Sequence, residues 1–149
     1  MKLINSLLDY SDPWGIPDVY LFTGNPIIKK NGAIVMGRGA AKQVRDRYPG
    51  IDLVFGKLLK EEPHLNVLII GKAHRLLGWF KVKEHWKEPA KLSVITESVT
   101  KLTQIATENP TLRFHMNYPG VGNGKLNIAM VAPLLQALPD NVLLYRKDT

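Results

Sequence analysis

Apolar positions along this chain switch repeatedly between two periods. Val19-Tyr20-Leu21-Phe22-Thr23, Val67-Leu68-Ile69-Ile70, Leu112-Arg113-Phe114-His115-Met116 and Val142-Leu143-Leu144-Tyr145 are short β-branched or aromatic runs closed off by Gly, Pro or Asn, the pattern of strands. Between them the period lengthens. Leu92, Ile95, Val99, Leu102 and Ile105 fall at helical spacing, on one face of an amphipathic helix that Pro89 starts and Asn109-Pro110 stops. Ala40 to Arg47 reads as a shorter helix, ended before Pro49-Gly50. Ile128 to Leu138 reads as another, in which Pro133 must kink the chain or sit in the first turn. Strands alternating with helices predict an α/β fold, with helices on both faces of a mostly parallel sheet.

Length and composition narrow this picture. At 149 residues, 45% of them hydrophobic, the chain is expected to form one domain over residues 1–149, with no repeat and no linker-like boundary. No apolar run approaches the roughly 20 residues needed to span a bilayer. The start Met1-Lys2-Leu3-Ile4-Asn5-Ser6 lacks a signal peptide's long apolar region, so a cytoplasmic, intracellular location is expected. The absence of cysteine excludes disulfides, a thiolate nucleophile and Cys-ligated zinc. His64, His74, His85 and His115 have no metal-ligand spacing, so no metal and no cofactor is expected. A formal net charge of +7 favours polyanionic or phosphorylated ligands, although basic surfaces also serve solubility.

Two glycine-rich segments give that charge a destination: Met36-Gly37-Arg38-Gly39-Ala40-Ala41 and Tyr118-Pro119-Gly120-Val121-Gly122-Asn123-Gly124. Each is expected to follow a strand-like run and precede a helix. Glycines there let the backbone turn with positive φ and bring N–H groups close to an anion. Clamping a diphosphate in the crevice of an open α/β sheet would require two such loops. Taken singly, Gly37 and Gly39 read equally well as turn glycines.

The stretch Asn25-Pro26, Asn31-Gly32-Ala33-Ile34-Val35-Met36-Gly37-Arg38-Gly39-Ala40-Ala41-Lys42-Gln43, ending in Tyr48-Pro49, resembles the first ligand loop and helix of macro domains. Phe80 to Pro89, which holds Lys83-Glu84-His85-Trp86, is similar to a segment of the macro domains that act as DNA ADP-ribosyl glycohydrolase antitoxins. Tyr118 to Leu126 with Val131 to Leu135 resembles the second phosphate loop and its helix. These blocks occur in family order along nearly the whole chain.

The resemblance implies a three-layer α/β/α sandwich with a mixed, mostly parallel sheet that binds ADP-ribose or an ADP-ribosylated substrate. It implies Asn25 and Asn31 at the distal ribose. Gly37, Arg38, Gly39 and Ala40 would stand on one side of the diphosphate, with Pro119, Gly120, Val121, Gly122, Asn123 and Gly124 on the other. Ser6 stands where relatives carry an Asp for the adenine amino group. Tyr118 is placed to stack near the distal ribose or to pack at a strand end. Lys83 matches a lysine implicated in removing ADP-ribose from DNA, and Asn31 is the second candidate catalytic residue. Where a deglycosylating branch has an Asp after the Leu of the second loop, this chain has Asn127.

The implied function is hydrolysis of an ADP-ribosyl linkage on nucleic acid or protein, or of ADP-ribose 1″-phosphate. The alternative is a non-catalytic module that binds or sequesters an ADP-ribose metabolite. A nucleic-acid-binding domain that grips a phosphate backbone is a third reading, and Lys81, Lys83, Lys87 and Lys91 also read as a solvated basic stripe. Likeness to phage sequences would place the protein in host cytoplasm, in phage conflict over NAD-derived signals.

Overall fold

Six strands form one mixed sheet in the computed structural model, which describes residues 1–72 and 74–147. In chain order they are β1 (Lys2–Ile4), β2 (Asp18–Gly24), β3 (Val67–Lys72), β4 (Arg75–Lys81), β5 (Arg113–Asn117) and β6 (Val142–Tyr145). The helices are α1 (Gly39–Arg47), α2 (Ile51–Glu61), α3 (Leu92–Glu108) and α4 (Ile128–Leu135). The sheet order is β1-β6-β5-β2-β4-β3, and every neighbouring pair is parallel except β3 with β4. The mixed, mostly parallel α/β/α sandwich expected from the chain is the one found.

Strand alternation divides the core into two layers. Val19 and Leu21 of β2, Phe114 and Met116 of β5, and Val142 and Leu144 of β6 point to one face, where they meet Ile95, Val99 and Leu102 of α3 with Val131 and Leu135 of α4. Phe22 and the β4 residues Leu77 and Trp79 point to the other, against Val44 of α1 and Ile51, Phe55 and Leu59 of α2. Truncating a fully buried leucine or phenylalanine of either layer would cost roughly 2–5 kcal/mol.

Three elements, β1, β4 and α2, add to those read from the pattern. Gly78 in the middle of β4 is required sterically, because a Cβ there would stand 2.6 Å from Leu21 Cγ of β2. Gly56 does the same for α2. A Cβ at that position would lie 1.9 Å from the Gly32 carbonyl oxygen, so the helix can press directly on the Asn31-Gly32 turn. The Ile34 N–H donates to the Asp52 carbonyl (3.1 Å) and completes the brace. Pro133 lies inside α4 beyond its first turn, and the helix ends at Leu135 rather than Leu138.

Candidate ligand cleft

The parallel strands β2, β4, β5 and β6 run in one direction, so their carboxyl ends share one edge of the sheet. A cleft of about 860 Å³ opens there, a size that suits a nucleotide-scale ligand. Each strand end contributes a wall: Gly24-Asn25, Val82-Lys83, Asn117-Tyr118 and Tyr145-Arg146.

The first glycine segment does not follow a regular strand. The residues before it form a tight turn, held by a single Ile28–Ile34 bridge and by Lys29 N–H to the Ala33 carbonyl (2.7 Å). Gly37, Arg38, Gly39 and Ala40 then line the cleft as the chain enters α1. Arg38 stands at the N-cap of that helix with an extended backbone, and its side chain makes no cap hydrogen bond to the first amides. A Cβ on Gly37 would meet nothing within 4 Å.

The second segment is built differently. Positive φ, which glycine adopts without strain, occurs in both segments, at Gly39 (55°) and at Gly120 and Gly122 (82° and 65°), and the difference lies in the space around them. A Cβ on Gly120 would stand 2.6 Å from Ile95 Cδ1, and one on Gly124 would stand 3.1 Å from Ala90 Cβ. The Gly124 carbonyl accepts the Ala90 N–H at 2.9 Å, and the Leu126 N–H donates to the Gly120 carbonyl at 2.9 Å. Gly122 alone has open space where a Cβ would be. Tyr118, Gly120, Val121, Gly122 and Gly124 line the cleft and Pro119 does not. The side chain of Asn123 lies outside the described residues.

The two candidate asparagines part company. Asn25 is 5% exposed and lines the cleft; its Oδ1 accepts the Ile27 N–H (3.1 Å), which leaves its NH2 group for a ligand. Asn31 is exposed outside the lining, and its Oδ1 accepts the Ala33 N–H (3.1 Å), so the side chain stabilises the turn on which it sits. Ser6 also stays outside, its Oγ donating to the Leu7 carbonyl at 3.2 Å, while Leu7 reaches the wall.

Lys83 stands in the cleft between the two loops. Its Nζ donates to the Trp86 carbonyl (3.3 Å). Partial burial lowers its pKa, as do the charges of Arg38 and Lys125, with Glu88 opposing. Lys81 departs from the solvated stripe. It is 7% exposed, and its ammonium pairs with Glu84 at 2.9 Å.

Leu7, Asn117, Tyr145 and Arg146 are among the lining residues that no motif announces. Asn117 Oδ1 accepts the Leu8 N–H at 2.9 Å and ties the N-terminal segment to the cleft. The Arg146 guanidinium lies 5.7 Å from the Tyr118 ring centroid. Behind the wall, His115 bridges Tyr145 Oη to Nδ1 and Asp18 Oδ1 to Nε2, each at 2.7 Å. Burial pushes Asp18 up, but its bonds to Arg113 and His115 outweigh that and hold the carboxyl below the usual range. Among the described residues the lining carries five cations, Lys29, Arg38, Lys83, Arg146 and Lys147, and no carboxylate. No described group of three or more His, Cys, Asp or Glu could hold a metal, and no described helix is long and apolar enough to cross a membrane.

The fold and the cleft define an α/β/α sandwich with a cation-lined crevice between two glycine loops at the carboxyl edge of its sheet. The chain belongs to the macrodomain family. The DNA ADP-ribosyl glycohydrolase of Mycobacterium tuberculosis is 31% identical over 116 residues, covering 71% of this chain and 33% of that protein. The chain therefore spans about a third of the length of the curated relatives it matches. The solved macrodomain of Mycobacterium tuberculosis DarG superimposes with a TM-score of 0.68 at 27% identity, over 87% of this chain and 89% of that one. Thermosipho africanus DarTG, solved in complex with ADP-ribose, gives a TM-score of 0.71 at 20% identity, over 85% of this chain and 37% of that one. No family model matches the chain.

Proposed function

We propose that this macrodomain holds ADP-ribose in the cleft and hydrolyses the bond between an ADP-ribosyl group and DNA. The observation that carries the reading is Lys83, a half-buried amine in the same cleft as both glycine loops and Asn25. With the diphosphate between the loops and the distal ribose at Asn25, the scissile bond at the anomeric carbon faces that amine. Burial and neighbouring cations lower its pKa, which makes a proton easier to shed for attack on carbon or proton transfer. A bound substrate aligned in this way gains rate from orientation alone. Residues 1–149 are taken as one unit working in the cytoplasm, with neither cofactor nor metal in the reaction.

Lys83→Ala is expected to lower turnover of an ADP-ribosylated oligonucleotide by on the order of 10² or more while ADP-ribose binding persists. Arginine will not rescue, because guanidinium stays charged. Since the neutral amine is the working form, the wild-type rate should rise with pH and level off below the ordinary lysine range. A rate that falls across that window would instead assign the work to the ammonium.

A second reading, a binding module without turnover, is favoured by Asn127. Its Oδ1 accepts the Ala129 N–H at 2.8 Å as the cap of α4, so no carboxylate base follows the second loop. Tight ADP-ribose binding with ADP-ribosylated DNA, modified protein and ADP-ribose 1″-phosphate all left intact would select this reading.

A further inference from the structure

Three tryptophans have three different fates. Trp79 is fully buried and Trp14 is 7% exposed, whereas Trp86 is 47% exposed at the wall of the cleft. An indole kept out of the core is an apolar surface without a protein partner large enough to cover it. Its backbone is nonetheless fixed. Glu88 Oε1 accepts the N–H groups of Glu84 (2.9 Å) and His85 (3.0 Å), the Lys87 N–H donates to His85 Nδ1 (3.1 Å), and Lys83 holds the Trp86 carbonyl. The His85 ring stacks on the indole at 5.5 Å between centroids and 27° between planes.

The surroundings select the occupant. Lys87 Nζ lies 5.1 Å from the indole centroid, and Lys83 and Arg38 stand in the same wall with no carboxylate among the described lining residues. Flat aromatic surface interleaved with cations suits a π-face flanked by phosphates. An acidic peptide would satisfy the cations and leave the indole uncovered. Lys87 is exposed on a flexible stem, so its ammonium can leave the ring for a phosphate when a base takes the face.

We propose that Trp86 is the stacking platform for a nucleobase of single-stranded nucleic acid at the mouth of the cleft, with Lys87 meeting the adjoining phosphate. The proposal deepens the reading of the cleft as a site for ADP-ribosylated DNA and rests on it. Trp86 would thereby place the modified nucleotide so that its ADP-ribosyl group runs inward past Lys83.

The test uses a fluorescein-labelled oligothymidylate of about 12 nucleotides, within the roughly 4–16 that single-strand sites occupy. Anisotropy should show binding by the wild-type protein that weakens steeply with salt. It should also quench the tryptophan emission, which reports on Trp86 because the other indoles are buried. Trp86→Ala, with an unchanged thermal midpoint, should weaken oligothymidylate binding roughly tenfold or more, and Trp86→Phe should recover most of it. No oligonucleotide binding by the wild type, or equal binding by a folded Trp86→Ala protein, overturns the platform. Calorimetry of the wild type with ADP-ribose separates the two readings. Absent ADP-ribose binding with Trp86-dependent oligonucleotide binding would remove the proposed function and keep the platform; the reverse would do the opposite.

Discussion

The two glycine walls of the cleft look alike in sequence and are opposites in construction. In the first, a Cβ on Gly37 would meet nothing within 4 Å and the N-cap residue of the helix that follows, Arg38, makes no side-chain cap bond. In the second, a Cβ on Gly120 would press on Ile95 of α3 and one on Gly124 would crowd Ala90, while the φ of 82° at Gly120 itself favours glycine. One wall offers amides and the other is a brace, with Gly122 as its single open position. A glycine-rich motif therefore mixes two demands, ligand approach and core packing. The space beside each glycine separates them.

Substitution should pull the two demands apart. The largest effect is expected at the brace: Gly120→Val drives a side chain toward Ile95 at a φ of 82° and should cost about 3 kcal/mol of stability in urea unfolding. A stable Gly120→Val protein would show that the second wall is not packed as described. Gly37→Val reverses the pattern. Stability should move by about 0.5 kcal/mol or less, while ADP-ribose affinity by calorimetry falls at least about tenfold, or roughly 1.4 kcal/mol. Unchanged affinity would remove the first loop from the binding site. The smallest effect belongs to Asn127→Asp. Aspartate caps a helix as well as asparagine does and suits the positive end of its dipole. Melting should therefore shift by no more than about 0.5 kcal/mol, and turnover should not rise, because the side chain faces Ala129 rather than the cleft. A clear gain in turnover would place that carboxylate at the reaction centre after all.

Much of this molecule was legible from periodicity, and the failures have physical causes. The runs that became β2, β3, β5 and β6 each carry β-branched or aromatic residues between breakers, and α3 keeps one apolar face for 17 residues. β1 is a three-residue edge strand, too short for alternation to register. α2 buries Ile51, Phe55 and Leu59 at helical spacing, but Leu53 and Val54 beside them are 47% and 41% exposed and blur the stripe. β4 is buried along both faces from Leu77 onward and so has no polar alternation to reveal it. In the site, the glycine loops, Asn25 and Lys83 came from motifs and do share one cleft. Asn31 and Ser6 lie outside because local turn and backbone bonds claim their side chains. Leu7, Asn117, Tyr145 and Arg146 meet only because parallel strands far apart in sequence end at one edge, which spacing along the chain does not encode.

The Asp18–His115–Tyr145 chain behind the cleft fixes where hydrogens sit. An ionised Asp18 only accepts, so His115 Nε2 carries the proton facing it. A ring protonated at Nε2 alone presents Nδ1 as an acceptor, and the Tyr145 hydroxyl then spends its hydrogen on that nitrogen. Tyr145 thus faces its surroundings as a lone-pair acceptor. A residue at the opposite end of the strands, Asp18, thereby sets the polarity of one hydroxyl on a residue in the cleft wall without touching it.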